Sequence, residues 1–126
     1  MNKQTFFIGT LLPTLNEIIA ASKVRRGSWS QYTELKALYG SICKHDIRAA
    51  KIQPVRQPVH VTFRWQEKHA QRDPDNIMAG QKFVLDALVI LRILAGDGQR
   101  DIASIAHDWI VDKAHPGVLV TLETRP

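Results

Sequence analysis

Three aspartates in one stretch of the chain have the types and spacing that suit a divalent cation. Asp73 and Asp75 flank Pro74, and Asp97 stands between two glycines beyond a long apolar run. A residue before proline is pushed out of the helical region, so Asp73 should be extended, while Asp75 opens a helical pattern. Two such carboxylates can point into one small volume. Magnesium takes a few carboxylate oxygens together with water and phosphate, and a bound cation can polarise a phosphodiester.

Two of these aspartates also have simpler structural explanations. Asp frequently caps helices, which would account for Asp75, and Gly and Asp are common turn residues, which would account for Asp97. Capping at Asp75 leaves Asp73 unexplained. The alternatives stay open for single residues, but the set as a whole favours a magnesium site, with manganese able to substitute.

A lysine and a fourth aspartate continue the cluster along the predicted helix. Lys82 is seven residues beyond Asp75, and Asp86 is four beyond Lys82. At about 3.6 residues per turn, one helix over residues 77–94 would place all three on one stripe. Lys82 can stabilise charge on a phosphate or form an exposed helical pair with Asp86, worth about 0.3–0.5 kcal/mol. Asp86 would then either orient Lys82 or face solvent.

A site made of all three aspartates requires Asp97 to lie close to the start of this helix. A helix of about eighteen residues spans roughly 27 Å. Asp97 can therefore join Asp73 and Asp75 only if the chain doubles back after Ile93, or if the helix is broken before Leu94. Without that reversal, a three-carboxylate site cannot form within one subunit.

Charge is distributed unevenly along the chain. Residues 1–72 carry twelve Lys and Arg against four Asp and Glu, a net of +8, whereas residues 73–126 have a net of −3. A basic surface attracts polyanions, which is the sequence-independent part of DNA binding. Lys23, Arg25 and Arg26 lie in a predicted loop with Trp29, and this combination suits phosphate contact and base stacking. Trp29 is equally compatible with a hydrophobic anchor.

Other chemistries find little support in the sequence. The five histidines lack paired metal-ligand spacing with one another or with Cys43, which is interpreted as a small buried thiol. No phosphate-binding glycine loop, dinucleotide fingerprint or nucleophile elbow is present. The apolar runs are too short to cross a membrane, and no signal-peptide pattern opens the chain, so a cytoplasmic protein is expected.

Hydrophobic periodicity predicts an α+β domain over residues 1–126. The predicted order is β-α-β-α-β-β: a small mixed sheet of about four strands covered by two long helices. Strands are predicted at residues 3–9 and 58–65, followed at the end of the chain by a hairpin of residues 104–113 and 117–123. The two long helices are predicted at residues 32–52 and 77–94.

The aspartate-rich stretch resembles the RusA family of Holliday junction resolvases, which are common on phages and prophages. The resemblance is carried by Arg72-Asp73-Pro74-Asp75-Asn76, Lys82, Leu85-Asp86-Ala87-Leu88 and Gly96-Asp97-Gly98-Gln99, with support from Pro13-Thr14-Leu15-Asn16. It implies a homodimeric, Mg²⁺-dependent enzyme of the bacterial cytoplasm. Such an enzyme nicks two strands of a four-way DNA junction symmetrically in recombination and repair.

Roles for individual residues follow from this resemblance. Asp73, Asp75 and Asp97 would be the metal-binding catalytic carboxylates, and Lys82 the catalytic lysine. Asn76 would support the carboxylates or the helix start. The chain departs from the family at the lysine, which in the enteric form follows the asparagine about one helical turn sooner.

The expected function is therefore a crossover junction endodeoxyribonuclease. Basic residues of the first half, together with Arg72, would hold the DNA arms. Two alternatives remain: a branched-DNA-binding module without catalysis, and a nuclease for another branched DNA such as a fork or flap.

Overall fold

A four-stranded mixed sheet with helices packed against it forms the framework of the protein. The computed structural model describes residues 2–125, so residues 1 and 126 of the predicted domain lie outside the described part. The elements in chain order are β1 (Asn2–Ile8), α1 (Leu15–Ser22), β2 (Arg25–Arg26), β3 (Trp29–Ser30), α2 (Gln31–Ala49), β4 (Val59–Glu67), α3 (Pro74–Met78), α4 (Gln81–Ile90), β5 (Ile102–Val111) and β6 (Gly117–Thr124). The predicted α+β class is confirmed.

Strand β4 lies inside the sheet, whose order is β1-β6-β4-β5. It runs parallel to β5 and antiparallel to β6. The predicted hairpin between the last two strands is wrong, because β4 separates them. The strand with the strongest apolar alternation takes this inner position, where Val61, Phe63 and Trp65 are at most 2% exposed. The short turn after β5 then passes the end of β4 before β6 begins.

The core lies between the sheet and the helices α2 and α4. Alternate residues of β4 point into it, as the strict alternation in the sequence predicted. Phe83 of α4 packs against Tyr39 of α2, with ring centroids 5.9 Å apart. Cys43 of α2 is also buried, and burial, reinforced by the charge of Asp46, raises the pKa of its thiol to about 12. Its interpretation as a buried core thiol is thus in line with the structure.

The single long helix predicted over residues 77–94 is wrong. The chain forms the short helix α3 and then α4, with a break at Ala79 and Gly80. Gly80 is buried, and a Cβ added there would lie 2.9 Å from Leu12 Cβ and 3.3 Å from a ring carbon of Trp65. Only glycine allows the backbone to approach these two residues so closely. Because glycine is also a poor helix former, the helix breaks at this position. Asp75 therefore lies on α3 and Lys82 on α4, and the prediction that they share one helical stripe is wrong.

The remaining predicted elements differ mainly at their ends. Helix α2 ends at Ala49, three residues earlier than predicted, and Lys51 has a left-handed φ of 56°. The predicted loop 23–30 contains a two-stranded ribbon, β2 and β3, which turns at Gly27. Between Asn2 and Arg125, none of the helices combines the length and hydrophobicity that crossing a membrane requires.

Candidate functional site

Asp73 and Asp75 lie at the start of α3 with exposed side chains. Asp73 is extended, with φ −74° and ψ 142°, as predicted for a residue before proline. It is the N-cap of α3, and its backbone carbonyl accepts hydrogen bonds from the N–H groups of Asn76 and Ile77. Its carboxylate makes no capping bond. Asp75 lies inside the first turn, so the alternative that it caps the helix is wrong.

Asn76 connects the start of α3 to a segment sixty residues earlier in the chain. Its Oδ1 accepts a hydrogen bond of 3.0 Å from the backbone N–H of Asn16. Asn16 lies in the first turn of α1, which Thr14 and Glu17 fix through a reciprocal capping box. Two of the motif segments, Pro13–Asn16 and Arg72–Asn76, are therefore in direct contact, and Asn76 makes that contact.

Arg72 has a partner within the protein. Its Nε and Nη2 donate to the two carboxylate oxygens of Glu67, at 2.7 and 3.0 Å. The Glu67 side chain is 6% exposed and that of Arg72 is 23% exposed. This bidentate pair fixes the loop from the end of β4 to Asp73. Arg72 thus has a structural role besides the predicted DNA contact. The sequence analysis did not identify Glu67 as its partner, because the other buried positions of β4 are all apolar.

Lys82, Asp86 and Asp97 lie together on the other side of the break. Lys82 Nζ donates to Asp86 Oδ1 at 3.0 Å. This hydrogen bond raises the pKa of Lys82, and the negative charges of Asp86 and Asp97 add to the effect. All three residues line one open cavity of about 360 Å³, together with Lys36 of α2. Lys82 is therefore paired with Asp86 and also lies within the electrostatic influence of Asp97.

A sharp reversal after α4 brings Asp97 back to this cavity. Arg92 has a left-handed φ of 60°. Its N–H donates to Val89, and the N–H of Ile93 donates to Leu88. This is the hydrogen-bond pattern of a Schellman motif. The returning segment is held by a hydrogen bond of 2.8 Å from the Val55 N–H to the Ile93 carbonyl. The reversal on which the position of Asp97 depends is thus present.

Most acidic side chains of this protein are engaged with other groups. The chain has twelve, all within residues 2–125. Eight of them form a hydrogen bond or ion pair through their carboxylates. In that part of the chain the carboxylates without such a partner are those of Glu34, Asp73, Asp75 and Asp97. Three of these four are the aspartates that the sequence predicted as metal ligands. Because they lack a partner in the described residues, their oxygens are free to bind a ligand.

These carboxylates are not assembled into one metal centre. Between residues 2 and 125 no group of three or more His, Cys, Asp or Glu is arranged to hold a metal ion. The fold brings Asp73 and Asp75 to the start of α3, and it brings Asp97 to Lys82 and Asp86. Magnesium is commonly held by one or two carboxylates plus water and substrate phosphates. The free aspartate oxygens fit that mode of binding.

The predicted DNA-binding residues of the first half lie around the β2–β3 ribbon. Lys23 is the C-cap of α1, and Arg25 and Arg26 form β2. Arg26 is the cross-strand partner of Trp29, whose side chain is 37% exposed. Cationic and aromatic side chains thus lie together on one small ribbon, a combination that suits phosphate contact and base stacking.

No protein-family model matches the chain, and no curated protein matches it either.

Proposed function

We propose that this protein is a magnesium-dependent endodeoxyribonuclease that resolves four-way DNA junctions by paired symmetric nicks. The observation that carries the proposal is the set of free carboxylates. Asp73, Asp75 and Asp97 are exposed and without a partner among residues 2–125, in a protein that pairs most of its acidic side chains. The resemblance of the surrounding motif to the RusA resolvases supports the same conclusion.

The proposed division of labour follows from the two parts of the site. Asp73 and Asp75 at the start of α3, and Asp97 beside Lys82, would be the residues that hold the cation. Magnesium supplies Lewis-acid stabilisation of the phosphodiester and activation of water when bound. Lys82, which is ion-paired with Asp86, would stabilise negative charge on the phosphate. Asn76 and the Glu67–Arg72 pair would position the loop that carries both aspartates.

The chain offers a matched set of substitutions to test this proposal. Asp73→Asn, Asp75→Asn and Asp97→Asn each remove one free carboxylate charge, and Glu34→Gln removes the fourth, on α2. Cleavage of a synthetic four-way junction with Mg²⁺ should fall at least ~100-fold in each Asn variant, by analogy with the loss of one transition-state contact. Glu34→Gln should cleave normally.

Binding assays make this test specific for catalysis. Electrophoretic mobility shifts in Ca²⁺ or without divalent ions should show the Asn variants still binding the junction. Undiminished cleavage by Asp75→Asn would refute the assignment. A wild-type protein that binds junctions but never nicks them in Mg²⁺ or Mn²⁺ would show instead a non-catalytic binding module.

A further inference from the structure

The open cavity beside Asp97 has one lysine on each of the two helices that form its walls. Lys36 lies in the second turn of α2 and Lys82 in the first turn of α4. Both line the cavity of about 360 Å³, together with Asp86 and Asp97. Two positive charges facing one space repel each other unless negative charge lies between them. The cavity therefore suits an anion, provided that one of the lysines has charge left to offer.

The charges of the two lysines are compensated differently. Lys82 Nζ donates to Asp86 Oδ1 at 3.0 Å. Lys36 forms no ion pair within residues 2–125, and its Nζ lies 5.7 Å from the centroid of the Tyr32 ring. A cation–π contact positions an ammonium group without neutralising it. The pKa of Lys82 is raised mainly by its hydrogen bond with Asp86 and more weakly by Tyr32, so this ring lies near both lysines. Lys36 is therefore the lysine whose charge is left for a ligand.

A glycine in the interior of α2 leaves this wall of the cavity open. Gly40 lies four residues beyond Lys36, so the two residues face the same side of the helix, and both line the cavity. A Cβ added to Gly40 would meet no atom from another part of the described chain within 4 Å. No contact within residues 2–125 therefore requires glycine here, although glycine is a poor residue for a helix interior. Its missing side chain gives a ligand close access to the helix.

The surroundings of the cavity favour an extended polyanion over a single small anion. The β2–β3 ribbon, which carries Arg25 and Arg26, leads directly into α2 at Gln31. Lys36 is five residues further on, roughly 8 Å along the helix axis. Cations that follow one another along a surface suit the successive phosphates of a nucleic-acid strand. A free phosphate ion would need only one of these positions.

We propose that the cavity between α2 and α4 binds the phosphate backbone of one nucleic-acid strand, which passes over Gly40 with Lys36 as its phosphate contact. The Lys36 ammonium would donate to a non-bridging phosphate oxygen, with Lys82 on the opposite wall. This assignment rests on the proposed function, since it takes DNA as the substrate. It also identifies where that strand would reach Lys82 and Asp97.

Salt-dependent DNA binding tests Lys36 without any cleavage step. The affinity for a synthetic four-way junction would be measured by fluorescence anisotropy in Ca²⁺ over a series of salt concentrations. In Lys36→Met the slope of log K against log salt should be shallower by about 0.9, the value for one lost phosphate contact. The affinity in about 0.1 M salt should fall roughly 10-fold.

Lys44→Met is the matched control for this measurement. It removes the same charge from the same helix, eight residues and about 12 Å further along the axis, and Lys44 does not line the cavity. This variant should keep the wild-type slope. A general effect of positive charge on α2 would instead lower the slope equally in both variants, which would contradict a specific contact at Lys36.

Substitutions of Gly40 separate ligand access from stability. Gly40→Ala should raise the midpoint of urea unfolding, because alanine is the better helix former and its Cβ has room. Gly40→Leu should also fold, since leucine is another good helix former. Its larger side chain would fill the cavity, so junction affinity should fall at least ~10-fold, as for the loss of the phosphate contact.

The outcomes distinguish this proposal from the proposed nuclease activity. An unchanged slope in Lys36→Met, or full-strength junction binding by Gly40→Leu, would overturn the cavity assignment even if the protein nicks junctions. A wild-type protein that binds no DNA would overturn it as well. A wild-type protein that binds junctions without nicking them, and whose slope decreases in Lys36→Met, would support the cavity assignment and refute only the nuclease activity.

Discussion

The Glu67–Arg72 pair provides a quantitative test of how the loop before Asp73 is held. Breaking a buried ion pair by removing one partner costs about 3–5 kcal/mol, because the other charge is left uncompensated. Arg72→Met would leave Glu67, whose side chain is 6% exposed, and should reach that range. Glu67→Gln would leave Arg72, which is 23% exposed and can turn towards water. That variant should lose less, about 1–3 kcal/mol.

The double variant Glu67→Gln/Arg72→Met should lose less free energy of unfolding than the two single variants lose together. Residues in direct contact show coupling energies of about 0.5–3 kcal/mol, and this pair should lie in the upper half of that range. Urea unfolding, with the free energy extrapolated to water, measures all four corners of the cycle. The same substitutions should also lower junction cleavage, because the loop carrying Asp73 would lose its fixed position.

The Arg64–Asp108 pair is a matched control for this cycle. It has the same bidentate geometry, at 2.9 and 3.2 Å, but both side chains are about half exposed. Its coupling energy should be below about 1 kcal/mol, as for other surface pairs. Equal coupling energies for the two pairs would refute the claim that burial makes the Glu67–Arg72 contact important.

Three further predictions concern other parts of the molecule. Arg92→Gly should stabilise the protein by about 0.5–1 kcal/mol in urea unfolding, because glycine removes the cost of a left-handed backbone; a loss of stability would contradict this account of the reversal. His107 accepts a hydrogen bond from Trp65 Nε1 at 2.9 Å, and burial lowers its pKa. When the pH falls below the ordinary pKa of histidine, His107 is protonated more readily in the unfolded chain than in the native protein. The free energy of unfolding should therefore decrease as the pH is lowered. His107→Phe should reduce this decrease in the free energy of unfolding. An unchanged pH dependence would show that other groups cause the decrease. Arg25→Ala/Arg26→Ala should weaken junction binding and make the salt dependence of log K shallower by about 2, whereas Lys3→Ala/Lys113→Ala should change it less.

Local patterns predicted the centre of the sheet well. The alternation from Val59 to Trp65 identified a strand with one buried face, and the structure makes it the inner strand β4. The extended backbone of Asp73 followed from Pro74 alone. In both cases the determining contacts lie within a few residues, so the sequence was sufficient.

Long-range contacts determine what the sequence did not reveal. The apolar periodicity of residues 77–94 continues through Gly80, but the approach of Leu12 and Trp65 breaks the helix there. The short turn after β5 suggested a hairpin, but β4 takes the position between the two strands. Glu67 could have been noticed as a carboxylate at a buried position, five residues before Arg72.

Mapping the nicks on a synthetic four-way junction would show whether this protein cleaves branched DNA in the proposed way. The wild-type protein and Asp75→Asn would be incubated with junctions labelled on each strand in turn, in Mg²⁺. We predict paired nicks on two opposed strands by the wild-type protein and none by the variant, although both bind the junction. A folded wild-type protein that binds the junction and leaves all four strands intact would contradict it.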